Sequence, residues 1–223
     1  MRIKICGLCR PEDARMAVEA GADYVGVILA PGGPRTRSES SAAAILRATP
    51  AGARVGVFVD PDPDIAIGLA ERLGLAVIQL HGDERTSAVA RIRAAGPWRV
   101  WKAVRPRTGR EFATAVARWA GRVDGILVDG FSDAARGGTG ARFPWDEVAA
   151  RRGAVDDTTD LIVAGGLSPD NVALAVERMG PDVVDVSSGV EVERCVKSAE
   201  RVRSFIEAAR NAPPSTEEAG KHG

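Results

Sequence analysis

Cysteine and histidine are scarce in this chain of 223 residues, which holds three of the first and two of the second. An odd number of thiols at irregular spacing, Cys6, Cys9 and Cys195, does not make a disulfide framework, so a reduced protein is expected. His81 and His222 offer no second ligand pair for a zinc ion beside Cys6 and Cys9, and no metal site is expected. Charge of one sign is also missing. Thirty basic and thirty acidic residues cancel, which removes the electrostatic footprint of a nucleic-acid or anionic-membrane partner. No stretch approaches the run of about 18 apolar residues that a spanning helix needs, and the N-terminus enters a strand rather than a signal peptide. Together these absences predict a soluble cytoplasmic protein. No large apolar stripe marks an obligate interface, which favours a monomer over a homodimer.

What is present is a repeat of strand and helix. Eight short apolar runs recur: Ile3–Cys6, Tyr24–Leu29, Val55–Val59, Val77–Leu80, Val100–Val104, Gly125–Val128, Leu161–Ala164 and Val183–Val186. Most are continuous and β-branched, as parallel strands covered on both faces are. Helix starts stand between them. Pro11-Glu12-Asp13-Ala14 opens a capped helix. Asp62-Pro63 and Ser168-Pro169 place a capping residue before proline, and Thr108-Gly109-Arg110-Glu111 has the spacing of a capping box. Val172, Ala175, Val176 and Met179 share one helical face, and Gly180-Pro181 stops it. Eight such units in about 200 residues fit a closed (β/α)₈ barrel better than an open sheet. One barrel domain over residues 1–210 is expected, with a Pro-rich disordered tail over 211–223.

A barrel's active site sits at the carboxyl ends of its strands. The sequence puts Cys6 there on strand one, Gln79 and His81 on strand four, Lys102 on strand five and Asp129 on strand six. Strand seven ends in Gly165-Gly166-Leu167-Ser168, and strand eight in Asp185-Val186-Ser187-Ser188-Gly189. Singly, each glycine pair reads as a tight turn. In consecutive units, Gly165, Gly166, Ser187, Ser188 and Gly189 read as a phosphate site between the last two loops.

A thiol becomes a base where its surroundings favour the thiolate, although a free cysteine is more often a small buried hydrophobe. Asp129 can hold a proton for a leaving oxygen if the site raises its pKa; otherwise it is a turn residue. Arg35, in the loop after strand two, suits a bidentate grip on a carboxylate. Arg136-Gly137-Gly138-Thr139-Gly140 lies in a long loop after strand six, where glycines can hinge a lid. Cys6 and Cys9 have the C-x-x-C spacing of a redox pair at a strand-to-helix turn, within reach of a disulfide.

Taken together, the ordered segments resemble the phosphoribosylanthranilate isomerase family. They run from Lys4-Ile5-Cys6-Gly7-Leu8 through Gly21-Ala22-Asp23-Tyr24-Val25-Gly26, Pro34-Arg35 and Gln79-Leu80-His81-Gly82-Asp83-Glu84. They continue with Asp129, Gly137-Gly138-Thr139-Gly140, Ala164-Gly165-Gly166-Leu167 and Asp185-Val186-Ser187-Ser188-Gly189-Val190-Glu191. The resemblance implies a (β/α)₈ barrel that carries out an Amadori rearrangement of a phosphosugar without a cofactor. By that analogy Asp129 is the general acid and Cys6 the general base. Arg35 holds the anthranilate carboxylate, Gln79, His81 and Asp185 bind substrate, and Gly165, Gly166, Ser187, Ser188 and Gly189 bind phosphate.

Cys9 departs from the family's small polar residue. Arg194-Cys195-Val196-Lys197-Ser198 departs from the family's Pro-Gly-x-Lys-Asp. Two other readings are open: a barrel that only binds phosphorylated metabolites or a partner protein, and a related histidine-pathway aminoaldose isomerase. The second needs carboxylates at the ends of strands one and five, where this chain has Cys6 and Lys102.

Overall fold

The computed structural model describes residues 1–130 and 145–213. Each predicted run forms one strand, with bounds that move by at most one residue: β1 (Arg2–Ile5), β2 (Tyr24–Ile28), β3 (Arg54–Phe58), β4 (Val77–Leu80), β5 (Arg99–Val104), β6 (Gly125–Asp129), β7 (Asp160–Ala164) and β8 (Val183–Val186). All pair in parallel, and β1 pairs with both β2 and β8, so the sheet closes into a barrel. Parallel neighbours need a crossover, and helices supply it. These are α1 (Pro11–Glu19), α2 (Glu39–Leu46), α3 (Pro63–Leu73), α4 (Thr86–Ala94), α5 (Gly109–Trp119), α6 (Trp145–Ala149), α7 (Val172–Met179) and α8 (Ala199–Arg210). A two-stranded antiparallel hairpin, β9 (Glu191–Glu193) and β10 (Val196–Lys197), stands between β8 and α8, and no local pattern in the sequence marks it.

Capping follows local chemistry, with two corrections. Asp62 accepts from the Asp64 N–H at 2.8 Å and Thr108 from the Glu111 N–H at 3.2 Å. Gly180 closes α7 in the left-handed region, φ 51°. Ser168 does not cap α7, which begins only at Val172. Its N–H donates to Asn171 Oδ1 at 2.8 Å and its hydroxyl accepts from the Asp170 N–H, which makes a separate turn ahead of the helix. The cap position of α1 is Arg10, which gives no side-chain cap and pairs with Asp13 at 2.6 Å instead. Of the tail expected over 211–223, the structure describes Asn211, Ala212 and Pro213. Asn211 donates to the Glu207 carbonyl and Ala212 packs on the core, while residues from 214 on lie outside the described ones.

Two apolar clusters flank the sheet. The larger fills the space between strands and helices. The smaller lies inside the ring and includes Val55, Val77, Trp101, Leu127, Ile162 and Val183. Successive side chains alternate across a strand, so the inward set continues toward the carboxyl ends as Gln79, Asp129 and Asp185. The interior thus passes from apolar to polar along the barrel axis.

Candidate active site

At the carboxyl ends the strands open into a cavity of about 550 Å³. Among its walls are Cys6, Gln79, His81, Asp129, Gly165, Gly166, Asp185, Ser187 and Ser188, which is every candidate residue except Arg35, Lys102 and Gly189. A second depression of about 620 Å³ lies beside α5 and contains neither Cys6 nor Asp129.

Cys6 is 6 % exposed, with its N–H on the Val186 carbonyl at 2.8 Å. Beside it Lys4 is fully buried, its Nζ 2.9 Å from Asp185 Oδ2. Burial pushes the Cys6 thiol up; Lys4 opposes the rise and Asp185 adds to it, and the net direction is upward. Burial also works against the charge of Lys4, but the charges of Asp185 and Cys6 outweigh it and raise Lys4. An ammonium therefore stays next to the thiol, and it is the group that favours a thiolate there. Gly26 makes room for both, because a Cβ at that position would lie 2.9 Å from Cys6 Sγ.

Asp129 faces the cavity from β6, three strands from β1 around the ring. His81 Nε2 stands 3.1 Å from Asp129 Oδ2, and Gln79 Nε2 lies 3.0 Å from His81 Nδ1. An amide that donates to Nδ1 leaves the proton on Nε2, which then donates to Asp129. Arg105 reaches the same carboxylate at 3.5 Å. Burial pushes the Asp129 carboxyl up, but His81 and Arg105 outweigh it and hold it below the usual carboxylate range. The expected upward shift is therefore not met in the free protein, because the neighbours are donors and cations. Gln79 Oε1 and Asp185 Oδ1 are buried and have no hydrogen-bond partner among the described residues. Buried acceptors are normally satisfied, so these two are open to a ligand's hydroxyl groups.

The loops after β7 and β8 touch backbone to backbone. Gly165 has φ 87°, and a Cβ there would strike the Gly130 backbone; a Cβ at Gly189 would strike the Leu167 carbonyl. Gly189 therefore joins the loops, while Gly166, Ser187 and Ser188 form wall.

Arg35 is outside the cavity wall and pairs with a carboxylate of the protein itself. Its fork grips Glu191, Nε to Oε1 at 2.8 Å and Nη2 to Oε2 at 2.5 Å, and Glu191 also takes Lys197 Nζ at 3.0 Å. The Arg35 side chain crosses over Gly7, one residue from Cys6. Lys102 turns away from the cavity, since its neighbours Trp101 and Ala103 are the inward residues of β5. Its Nζ binds the Gly82 and Ala103 carbonyls and Glu84. The Gly137-Gly138-Thr139-Gly140 segment lies outside the described residues.

The thiols are not all reduced, nor are Cys6 and Cys9 partners. Cys9 is joined to Cys195, with Cα atoms 5.4 Å apart, and Cys6 is free. The i,i+3 spacing concealed a partner 186 residues away. Lys4, Arg105, Glu191 and Lys197 were also missed as site residues. Only Lys4 carried a signal, a charge in the middle of an apolar strand.

Comparison with known proteins shows the family and the fold. The family model for N-(5'-phosphoribosyl)anthranilate isomerase matches residues 3–208. A relative named N-(5'-phosphoribosyl)anthranilate isomerase, from Geobacter sp. strain M21, is 41% identical over 210 residues, 94% of this chain and 98% of its own. A phosphoribosylanthranilate isomerase solved with reduced 1-(o-carboxyphenylamino)-1-deoxyribulose 5-phosphate superposes with a TM-score of 0.81 at 33% identity, over 94% of this chain and 98% of that one. Generated monomers of the dimeric enzyme from Thermotoga maritima give 0.80 at 33% identity, with the same coverage.

Proposed function

The chain belongs to the N-(5'-phosphoribosyl)anthranilate isomerase family, and from that membership we propose its reaction and the part each residue plays. The reaction is the Amadori rearrangement of N-(5'-phosphoribosyl)anthranilate to 1-(2-carboxyphenylamino)-1-deoxyribulose 5-phosphate, a step of tryptophan biosynthesis. The observation that carries this reading is one cavity with a thiol just past the end of β1, a carboxyl group on β6 and a glycine-serine wall after β7 and β8.

Asp129 protonates the furanose ring oxygen, and the bond from that oxygen to C1 breaks to give a Schiff base. Entry of an anionic substrate offsets the positive surroundings of Asp129, so the carboxyl group takes up the proton that it delivers. The Cys6 thiolate, the minor form that the Lys4 ammonium favours against burial, removes the C2 proton, and the enolamine that results tautomerises to the aminoketose. One acid and one base suffice chemically, with no metal or organic cofactor. His81 and Gln79 orient Asp129, and Gln79 Oε1 and Asp185 Oδ1 accept from the sugar hydroxyls. Arg35, held at the mouth by Glu191, exchanges that carboxylate for the one on anthranilate, and Gly166, Ser187 and Ser188 hold the phosphate. The outward turn of Lys102 supports the anthranilate substrate over the histidine-pathway one, because β5 offers no carboxylate.

No helix among the described residues is long and apolar enough to cross a membrane, and cytoplasmic location follows as part of the proposal. Among the described residues the exposed large apolar side chains are Met1, Val59, Ile65 in α3, Leu174 in α7 and Val192 in β9, spread along the chain rather than in one stripe, which supports a monomer. The test is to form the substrate in situ from anthranilate and phosphoribosyl pyrophosphate and follow loss of its fluorescence. Catalysed decay is expected, and decay at the uncatalysed rate would overturn the reading.

A further inference from the structure

Two of the positions at which the sequence departs from the family pattern, Cys9 and Cys195, meet in space. Cys9 lies in the loop after β1, three residues beyond Cys6 and two beyond Gly7, over which Arg35 crosses. Cys195 is the turn residue between β9 and β10, the hairpin whose strands carry Glu191 and Lys197. The bond thus ties the loop that leaves the base to the hairpin that holds Arg35.

Three observations show a pair fitted to two states. Both residues are partly exposed, whereas Cys6 is buried, so a thiol reagent can reach the bond without entering the cavity. Each sulfur also lies against a carbonyl oxygen, Cys9 Sγ 3.6 Å from Gly7 O and Cys195 Sγ 3.4 Å from Pro34 O. In the dithiol these are weak hydrogen-bond acceptors for the two new S–H groups. Cys195, moreover, has φ 70°, a left-handed conformation that favours glycine and persists in other residues where the surroundings enforce it. Closure of the cross-link supplies such a constraint.

We propose that Cys9 and Cys195 form a reversible redox clasp on the rim of the active site. In the oxidised form the two loops are fixed together, with Arg35 between them. In the reduced form the hairpin is released from the base loop, and substrate binds more weakly. A dithiol reductant cleaves the clasp. One of its thiolates attacks one sulfur and expels the other cysteine as thiolate; its second thiol then resolves the mixed disulfide. Two electrons and two protons pass to the protein, and the reductant leaves as a disulfide. A disulfide oxidant reverses the exchange. The effect on KM rests on the isomerase reading; the bond itself does not.

The test uses the full chain, oxidised with a glutathione disulfide buffer or reduced with dithiothreitol, then alkylated and mapped by mass spectrometry without further reduction. A linked peptide joining Cys9 to Cys195 is expected in the oxidised sample, with Cys6 recovered as the alkylated thiol. Oxidation should raise Tm by about 5–10 °C, from the loop-closing effect of a cross-link in a chain of this size. It should also lower KM several-fold with kcat little changed. Cys9→Ser and Cys195→Gly should each match the reduced wild type and ignore the reagent; the glycine variant suits the left-handed position, so it folds where Cys195→Ser would be strained. No Cys9–Cys195 peptide, a Cys6–Cys9 peptide in its place, or equal Tm in the two states overturns the clasp. A linked peptide and a Tm shift in a chain that never isomerises the substrate would uphold the clasp and overturn the isomerase reading.

Discussion

Cys6 and Asp129 show how environment sets what a side chain can do. Both stand at strand ends, yet burial raises the thiol while hydrogen-bonding neighbours lower the carboxyl group. Cys6→Ser removes the base and Asp129→Asn removes the acid. Each is expected to lower kcat by at least about a hundredfold, the usual worth of a positioned proton-transfer group. Steady-state kinetics beside circular dichroism tests this; near-wild-type turnover in a folded variant would remove that residue from the proposed mechanism. Of these two, only the strand-end position was legible in the sequence. The direction of each shift depends on Lys4, Asp185, His81 and Arg105, which come from other positions along the chain.

At the scale of elements, the loops after β7 and β8 act as one unit because Gly189 lets its backbone approach the Leu167 carbonyl where a Cβ would collide, and Gly165 does the same against Gly130 after β6. Inorganic phosphate bound there is expected to raise Tm as its concentration passes its Kd, as any ligand of the native state does. Ser188→Asp puts a carboxylate in the same wall and should abolish that shift by charge repulsion. Gly166→Val should do the same by strain at φ 69° and by bulk. A scanning-fluorimetry titration checks both, and a full phosphate-dependent shift in Ser188→Asp would place the anion elsewhere. These loops were readable because glycine and serine clusters in consecutive βα units are local signals. The hairpin of β9 and β10 was not: its strands are two or three residues long, and tertiary contacts hold them.

For the whole molecule, ionisation sets a stability window. Burial pushes up the carboxyl groups of Glu84, Asp129 and Glu191, but Lys102, His81 with Arg105, and Arg35 with Lys197 outweigh it and hold them below their ordinary values of 3.8 for Asp and 4.5 for Glu. A carboxyl group whose folded pKa is depressed binds fewer protons in the native state. Its contribution is complete above about pH 4.5 and is lost as pH falls through the folded values. Cys6 is shifted the other way, from 9.0 upward, so its contribution is complete below its unfolded value and is lost as pH rises through the folded one. A Tm plateau is therefore expected between about pH 5.5 and 8.5, with an acid limb below about 4.5. Glu84→Gln should lower the plateau, since it leaves Lys102 buried without its carboxylate, and should flatten the acid limb. A pH series of thermal melts checks both; a steep fall between pH 7 and 5.5 would assign the acid limb to other groups.

The sequence by itself determined the repeat of eight strands, the start of α3 at Asp62, the buried face of α7, and the end of the barrel that carries the chemistry. Each rests on near neighbours: β-branched runs, a capping residue before proline, helical spacing, and strand ends that point one way in a parallel sheet. Tertiary structure alone decided the rest. The strand runs are continuously apolar, so alternation could not show that Gln79 and Asp185 face inward and Lys102 outward. Arg35 meets Glu191 from 156 positions away, and Cys9 meets Cys195 from 186. Those pairings arise because β1 and β8 are adjacent in the closed ring, which brings the two ends of the chain to the same rim.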